Sequence, residues 1–161
     1  MHYWLMKTEP SELSFEDVLR LPNQTVDWWG VRNYQARNFM RDDMQPGDGV
    51  LFYHSSCKHP GIVGIACIAS AAYPDRLQFD AKSPYFDPKS TPENPRWLAV
   101  DVKAVRSVRL IGLAELREHP QTAGMRVLAR GNRLSITPVS ESEFAFITNV
   151  LAPLNGPQEH V

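Results

Sequence analysis

The chain is organised around residues 26–38, whose sequence is VDWWGVRNYQARN. These thirteen residues contain three large aromatic side chains, two arginines, two asparagines and a glycine. The apolar residues follow neither the alternation of a strand nor the repeat of an amphipathic helix. Gly30 allows a turn or a close backbone approach, and Asn33 is a good N-cap for a helix that starts at Tyr34. The pattern predicts a short strand, a tight turn and a helix start, with aromatic and planar hydrogen-bonding groups converging at the turn.

This turn has two interpretations. Nucleobases are recognised by stacking on aromatic rings together with hydrogen bonds to the base edge, and the turn supplies both kinds of group. A buried pair of tryptophans beside a helix cap would use the same residues for packing alone. The stretch by itself favours neither interpretation.

Length and composition indicate an ordinary folded protein. The 161 residues fit one domain, which we expect to span residues 1–152, with a polar C-terminal tail at 153–161. Hydrophobic residues make up 43% of the chain, enough for a core. There is neither a membrane-spanning apolar run nor a secretory signal, and the two cysteines fit a reducing compartment. We therefore expect a soluble, intracellular, cytoplasmic protein.

The charge balance limits the ways in which this chain can bind nucleic acid. A formal net charge of −1 argues against a protein that holds long nucleic acid through phosphate neutralisation alone. It leaves open a reader of a single unpaired base, because such a reader needs a pocket more than a positive field.

Periodicity and turn signals predict an α+β fold. Strands are predicted at 3–7, 49–54, 62–69, 97–104 and 134–138, with 62–69 central because it is apolar on both faces. Helices are predicted after capping boxes at Ser14 and Ser140, and at 34–41, 113–118 and 125–130. The proline-rich segment 74–95 is expected to be a packed loop. About five or six strands would form a curved sheet or open β-barrel with peripheral helices.

Motifs for catalysis or metal binding are missing from the sequence. His54, Cys57, His59 and Cys67 lack the paired short spacings of structural zinc sites. The chain has no Gly-x-Ser-x-Gly elbow, no Walker-type loop and no Gly-x-Gly-x-x-Gly motif. We therefore expect no metal and no cofactor, while a Ser-His-Asp arrangement, or one of the acids Glu9, Asp27 and Asp87 as a general base, stays open at this point.

Four segments together resemble the EVE domain family. They are YWLMKTEP at 3–10, GVRNYQARN at 30–38, FYHS at 52–55 with PGIVG at 60–64, and YFDPK at 85–89 followed by NPRW at 94–97. The resemblance covers nearly the whole chain. It implies a PUA-like fold, similar to that of YTH domains, and a role as a reader of modified bases. Modified cytosine in DNA is the expected partner, with RNA as an alternative.

The resemblance also implies which residues bind the base. The end of the first strand would supply Lys7, Thr8 and Glu9, and the turn would form the central wall. The hairpin and the long loop would add the remaining groups. The full expected set of ligand-binding residues is Lys7, Thr8, Glu9, Trp28, Gly30, Val31, Arg32, Asn33, Tyr34, His54, Ser55, Tyr85 and Asp87.

One position departs from the family pattern. Family members usually carry an aspartate before Gly-Val-Arg-Asn, and this chain has Trp29 instead. Arg32, Asn33, Thr8 or Ser55 would read the base edge. The main functional prediction is thus a non-catalytic reader of a modified nucleobase held in an aromatic and polar pocket. The alternatives are an enzyme that binds a nucleotide or small molecule in the same pocket, and a general RNA-binding accessory protein.

Overall fold

A computed structural model of the chain describes residues 1–154, so the expected tail at 153–161 lies almost entirely outside the described residues. The strands in this part of the chain are β1 (Tyr3–Thr8), β2 (Thr25–Asp27), β3 (Gly49–His54), β4 (Gly61–Ile68), β5 (Tyr73–Pro74), β6 (Leu98–Ala99), β7 (Asp101–Ile111) and β8 (Ile136–Val139). The α-helices are α1 (Phe15–Leu19), α2 (Tyr34–Asn38), α3 (Leu113–Glu118) and α4 (Glu141–Phe146).

Six of these strands form one mixed sheet in the order β2-β7-β4-β3-β1-β8. β1 runs parallel to β3, and all other neighbours are antiparallel. Register shifts in β4 and at residues 52–53 bend the sheet, as bulges generally do. Within the described residues β2 and β8 are the two edges of this curved sheet, so the sheet is open and does not close into a barrel. The predicted α+β class is confirmed.

Apolar side chains cover both faces of the sheet. Trp4 and Met6 of β1 belong to one buried cluster and Leu5 belongs to the other, as the alternation of a strand requires. The first cluster includes residues of α1 and α2, and the second includes residues of α3. Central strands with two covered faces explain why β4 is apolar throughout.

The predicted helix starts are confirmed by their caps. Ser14 Oγ accepts from the Asp17 backbone N–H at 3.1 Å, and an Asp17 carboxylate oxygen accepts from the Ser14 N–H at 2.9 Å. Ser140 and Glu143 form the same reciprocal pair. Asn33 Oδ1 accepts from the Ala36 N–H at 3.0 Å and begins α2. Both α2 and α4 continue into a wider π-type turn, at Phe39–Asp43 and Ile147–Leu151.

Two sequence predictions are corrected by the structure. The helix expected at 125–130 is only a 3₁₀ turn at Arg126–Leu128. Met125 and Val127 are both buried, a two-residue spacing that packs an extended segment better than a helix. The strand expected at 97–104 is divided into β6 and β7, and β7 continues to Ile111.

In the same segment Trp97 and Ala99 are both buried. β5 pairs with β6, and the long loop folds back over them. The Gln78 side-chain amide, itself fully buried, donates to the Trp97 carbonyl at 2.7 Å and accepts from the Trp97 N–H at 3.0 Å. The expected packed loop is therefore present, and it covers Trp97 and Ala99.

Candidate functional site: a cleft at the end of the first strand

A cleft of about 390 Å³ opens where β1 ends. This volume falls in the range of roughly 300–1,000 Å³ typical of small-molecule pockets. Its walls come from the end of β1 and the turn after it, the turn between β2 and α2, the hairpin loop, the long loop and the segment before β8. The lining residues are Lys7, Thr8, Glu9, Glu12, Leu13, Trp28, Trp29, Gly30, Val31, Ser55, Ser56, Tyr85, Arg133 and Ser135.

The cleft brings together most of the predicted site residues. Those in its lining are Lys7, Thr8, Glu9, Trp28, Gly30, Val31, Ser55 and Tyr85. Those outside the lining are Arg32, Asn33, Tyr34, His54 and Asp87. The binding role of each residue stays a prediction, and the second group has interactions within the protein that the sequence did not reveal.

The turn at Gly30 shapes one wall. Gly30 has a φ of +82°, a left-handed conformation that favours glycine. A Cβ at this position would lie 3.0 Å from Cε1 and Cζ of Tyr85. The Gly30 N–H donates to an Asp75 carboxylate oxygen at 2.7 Å. The Tyr85 ring can therefore pack against bare backbone, and Asp75 holds that backbone in place.

Arg32 uses its donors inside the protein. Its Nη1 donates to Asp75 at 2.9 Å, and its Nε and Nη2 donate to the Tyr85 carbonyl at 3.2 and 2.8 Å. The guanidinium carbon lies 5.5 Å from the centre of the Tyr85 ring and 5.4 Å from that of Trp97. Arg32 thus fastens the long loop to the turn and positions Tyr85, in place of reaching into the cleft.

Asn33 and Tyr34 serve α2 and its surroundings. The Asn33 side chain is occupied as the helix cap described above. The Tyr34 ring stacks on Trp97 with centroids 4.8 Å apart, and the Arg37 guanidinium carbon lies 4.7 Å from the Tyr34 ring centre. Tyr34 remains 51% exposed, so this stack is a surface feature beside the cleft.

His54 and Asp87 lie outside the cleft lining and form hydrogen bonds within the protein. His54 Nε2 accepts from the Phe15 backbone N–H at 3.1 Å, which places the ring proton on Nδ1. Burial lowers the pKa of His54 and favours this neutral form. An Asp87 carboxylate oxygen accepts from the Trp97 indole N–H at 2.8 Å, and this bond lowers the pKa of Asp87.

The two tryptophans of the turn have different environments. Trp28 is 4% exposed and packs edge-on against Phe52, with ring centroids 5.4 Å apart. Trp29 is half-buried, and its indole N–H donates to Glu12 Oε1 at 3.3 Å. Trp28 is therefore a core residue that also borders the cleft, and Trp29 is more accessible, so base recognition by this pair stays a prediction.

Sequence reasoning missed several lining residues, and Glu12 is the most connected of them. Its Oε1 accepts from the Tyr85 hydroxyl at 2.5 Å as well as from Trp29. Burial and this hydrogen bond together raise the pKa of Tyr85 to about 12. Glu12 precedes Tyr85 by 73 positions, so no local pattern signals their contact. The other missed lining residues are Leu13, Trp29, Ser56, Arg133 and Ser135.

Two polar groups of β1 complete the cleft. Thr8 Oγ1 is buried and has no hydrogen-bond partner among residues 1–154. An unsatisfied buried hydroxyl costs about 1–3 kcal/mol, so this atom is a natural contact for a polar ligand group. The Lys7 ammonium lies 5.5 Å from the Tyr53 ring centre, and burial lowers the pKa of Lys7.

Within residues 1–154 no group of three or more His, Cys, Asp or Glu side chains is placed to hold a metal ion. No helix in this range has the length and apolar character needed to cross a membrane.

Comparison with known proteins identifies the family. The model of the EVE domain matches residues 2–150. Human thymocyte nuclear protein 1 is 45% identical over 165 residues, which cover 92% of this chain and 73% of that protein. The zebrafish (Danio rerio) thymocyte nuclear protein 1 is 46% identical over 165 residues, covering 91% and 71%.

Solved structures agree in fold over nearly the whole chain. The human THYN1 protein, crystallised in complex with DNA containing 5-methylcytosine, aligns with a TM-score of 0.85 and 44% identity, covering 91% of this chain and 95% of that one. A Pseudomonas putida protein aligns with a TM-score of 0.84 and 47% identity, covering 90% and 96%. The predicted PUA-like fold is confirmed by these neighbours. The sequence segments, the open sheet and these matches together show that the chain belongs to the EVE domain family.

Proposed function

We propose that this protein is a non-catalytic reader of a modified base in DNA and that modified cytosine is its preferred base. One observation carries the proposal: the human THYN1 protein, solved with DNA containing 5-methylcytosine, shares 44% identity with this chain over 95% of its own length. Two chains this similar share the backbone that builds the cleft. We take residues 1–152 as the reading domain.

The cleft has the parts that a single base requires. The rings of Trp29 and Tyr85 offer flat apolar faces, and stacking of one base on such a ring contributes about 1–3 kcal/mol. Thr8 Oγ1 offers an unsatisfied hydroxyl for the base edge. Leu13 and Val31 supply apolar lining against which a methyl group can pack. Polar and apolar lining groups together favour a base over a simple anion.

The small number of positive charges favours contacts to the base over contacts to the phosphate backbone of the DNA. The net charge is −1, and the cleft lining contains two cations, Lys7 and Arg133. A base that enters the cleft must leave the duplex stack, which costs a few kcal/mol. Two cations compensate only part of that cost, so contacts to the base itself have to provide the remainder.

The vertebrate relatives carry the name thymocyte nuclear protein 1, which does not support a specifically cytoplasmic location. The expected location in the cytoplasm remains a prediction. No observation favours the enzymatic alternative, and the RNA-binding alternative is separated by the experiment below.

The experiment is a fluorescence anisotropy titration with duplexes that differ only in one cytosine or 5-methylcytosine. Burial of one methyl group is worth about 0.8 kcal/mol, so we expect a preference of about 4-fold or more for the methylated duplex. Equal affinity for both duplexes would refute base-specific reading. Tighter binding of the matching RNA would favour the accessory role, and a changed base detected by mass spectrometry would contradict a non-catalytic protein.

A matched pair of variants locates the binding surface. Trp29→Ala removes one stacking face and should weaken binding about 5- to 150-fold, from the stacking free energy given above. Phe79→Ala removes an aromatic side chain that is 36% exposed and lies outside the cleft lining. It should leave the affinity within about 2-fold. Equal losses in both variants would mean that the cleft is not the binding site.

A further inference from the structure

Glu12 occupies an unusual position in the cleft. Its Oε1 accepts from the Trp29 indole N–H and the Tyr85 hydroxyl, at 3.3 and 2.5 Å. Its Oε2 makes no hydrogen bond or ion pair with any residue in the described range 1–154, and the side chain is exposed. The two aromatic donors thus hold one carboxylate oxygen and leave the second as an oriented acceptor.

A base that stacks against Trp29 or Tyr85 places its edge beside this carboxylate, because the carboxylate is bonded to the polar edge of each ring. An ionised carboxylate accepts hydrogen bonds and donates none. The exocyclic amino group of cytosine is a donor that Glu and Asp side chains read. Thymine carries the same methyl group, but it presents a carbonyl oxygen where cytosine presents the amino group.

The cleft lining also contains hydrogen-bond donors. The Lys7 ammonium can donate, and the Thr8 hydroxyl is unsatisfied. Cytosine has acceptors at N3 and O2 next to its amino donor, so one acceptor and one or two donors in the protein complement its edge. Thymine would set its O4 against the Glu12 carboxylate, leaving two acceptors facing each other at a partly desolvated contact.

We propose, on the basis of the proposed function, that Glu12 is a specificity-determining residue of the cleft. Its free carboxylate oxygen accepts from the exocyclic amino group of 5-methylcytosine and thereby excludes thymine. Its other oxygen positions the two aromatic side chains. The ligand class of the cleft is then an amino-bearing methylated pyrimidine.

The test is Glu12→Gln, which alters the acceptor without shortening the side chain. The glutamine carbonyl can still accept from Trp29 and Tyr85, while its amide nitrogen presents a donor where Glu12 presented an acceptor. Each tested base is placed opposite an abasic site, so that neither 5-methylcytosine nor thymine has to break a base pair. We expect the wild-type protein to prefer 5-methylcytosine over thymine by about 10-fold, since a charge-assisted hydrogen bond is replaced by a repulsive contact. In Glu12→Gln this ratio should fall to about 1 or invert.

Two further variants separate reading from positioning. Glu12→Ala removes the reading oxygen and also frees both aromatic side chains. The 5-methylcytosine to thymine ratio should therefore fall to about 1, as in Glu12→Gln, and the affinities should in addition fall about 5- to 30-fold, because each aromatic side chain must then be immobilised on binding. Glu16→Gln changes a carboxylate whose side chain is 79% exposed, outside the cleft lining, and should preserve the wild-type ratio. Thermal melting of each variant verifies that it is folded.

The outcomes distinguish this inference from the proposed function. If wild-type protein binds cytosine and 5-methylcytosine equally, the reader function itself fails. If it prefers 5-methylcytosine over cytosine yet binds thymine equally well, the reader function stands and the role of Glu12 is refuted. An unchanged ratio in Glu12→Gln also overturns the inference.

Discussion

Replacement of Asp75 by alanine should both destabilise the fold and weaken base binding. The Asp75 side chain is fully buried and accepts three hydrogen bonds, from the Gly30 N–H at 2.7 Å, Arg32 Nη1 at 2.9 Å and the Leu77 N–H at 2.8 Å. It therefore joins the turn of the opening stretch to the start of the long loop. Asp75→Ala leaves the Arg32 guanidinium without its carboxylate and two N–H groups without an acceptor.

The size of the effect follows from burial. Removal of one partner of a buried ion pair costs about 3–5 kcal/mol. The Arg32 side chain is 22% exposed and keeps its bonds to the Tyr85 carbonyl, so we expect the lower end of that range, about 3 kcal/mol. A domain of this size loses about 2–4 °C of Tm per kcal/mol, which predicts a decrease of about 6–12 °C. Because Tyr85 loses its alignment, affinity for the base should fall as well.

Differential scanning calorimetry and the anisotropy titration measure the two effects. The matched control is Asp42→Ala, whose side chain is 51% exposed and pairs with the neighbouring Arg41. An exposed pair contributes about 1 kcal/mol or less, so this variant should melt within about 4 °C of wild type. A loss in Asp75→Ala no larger than in Asp42→Ala would refute the structural role assigned to Asp75.

Three further outcomes are expected. Gly30→Ala should lower the free energy of unfolding and the affinity for the base more than Gly47→Ala does. Both glycines have a positive φ, but of these two only Gly30 has a ring in the path of an added Cβ, that of Tyr85 at 3.0 Å. Equal losses of the free energy of unfolding, measured by chemical denaturation, would contradict this. Burial lowers the pKa of His54 below its ordinary 6.5. Below pH 6.5 the unfolded chain therefore binds more protons than the folded protein. The free energy of unfolding should decrease as pH falls from about 6.5 toward the lowered pKa. His54→Gln should remove this part of the pH dependence, and an unchanged profile would show that His54 does not cause it. The slope of log affinity against log salt should be shallow, no steeper than about −2, because the cleft lining contains two cations, and a slope much steeper than −4 would reveal a larger basic surface.

Much of the fold was predictable because its signals are local. The capping boxes at Ser14 and Ser140 depend on residues three positions apart, and both helices begin where they predict. The central position of β4 followed from its apolar character on both faces. The prediction of a helix at 125–130 was wrong, since burial of Met125 and Val127 against the second cluster outweighed local preference.

The candidate site was predictable only in part, for a related reason. Residue types identified the turn and the end of β1 as a place of interest, but not which donors were already used. Arg32 is occupied by Asp75 and by the Tyr85 carbonyl, at sequence separations of 43 and 53 residues. Glu12 was overlooked because its partner Tyr85 lies even farther away in sequence, at a separation of 73 residues.

The sequence alone determined the family, the α+β class and the starts of the four α-helices, and it predicted a site at the turn formed by Gly30. These properties depend on short-range backbone preferences, hydrophobic periodicity and residue types. Only the tertiary structure decided which side chains face the cleft, that Arg32 braces the long loop, and that Glu12 holds two aromatic rings. Hydrogen bonds saturate, so a side chain that is bonded to a distant segment is no longer available to a ligand, and that allocation arises when the segments meet in the folded protein.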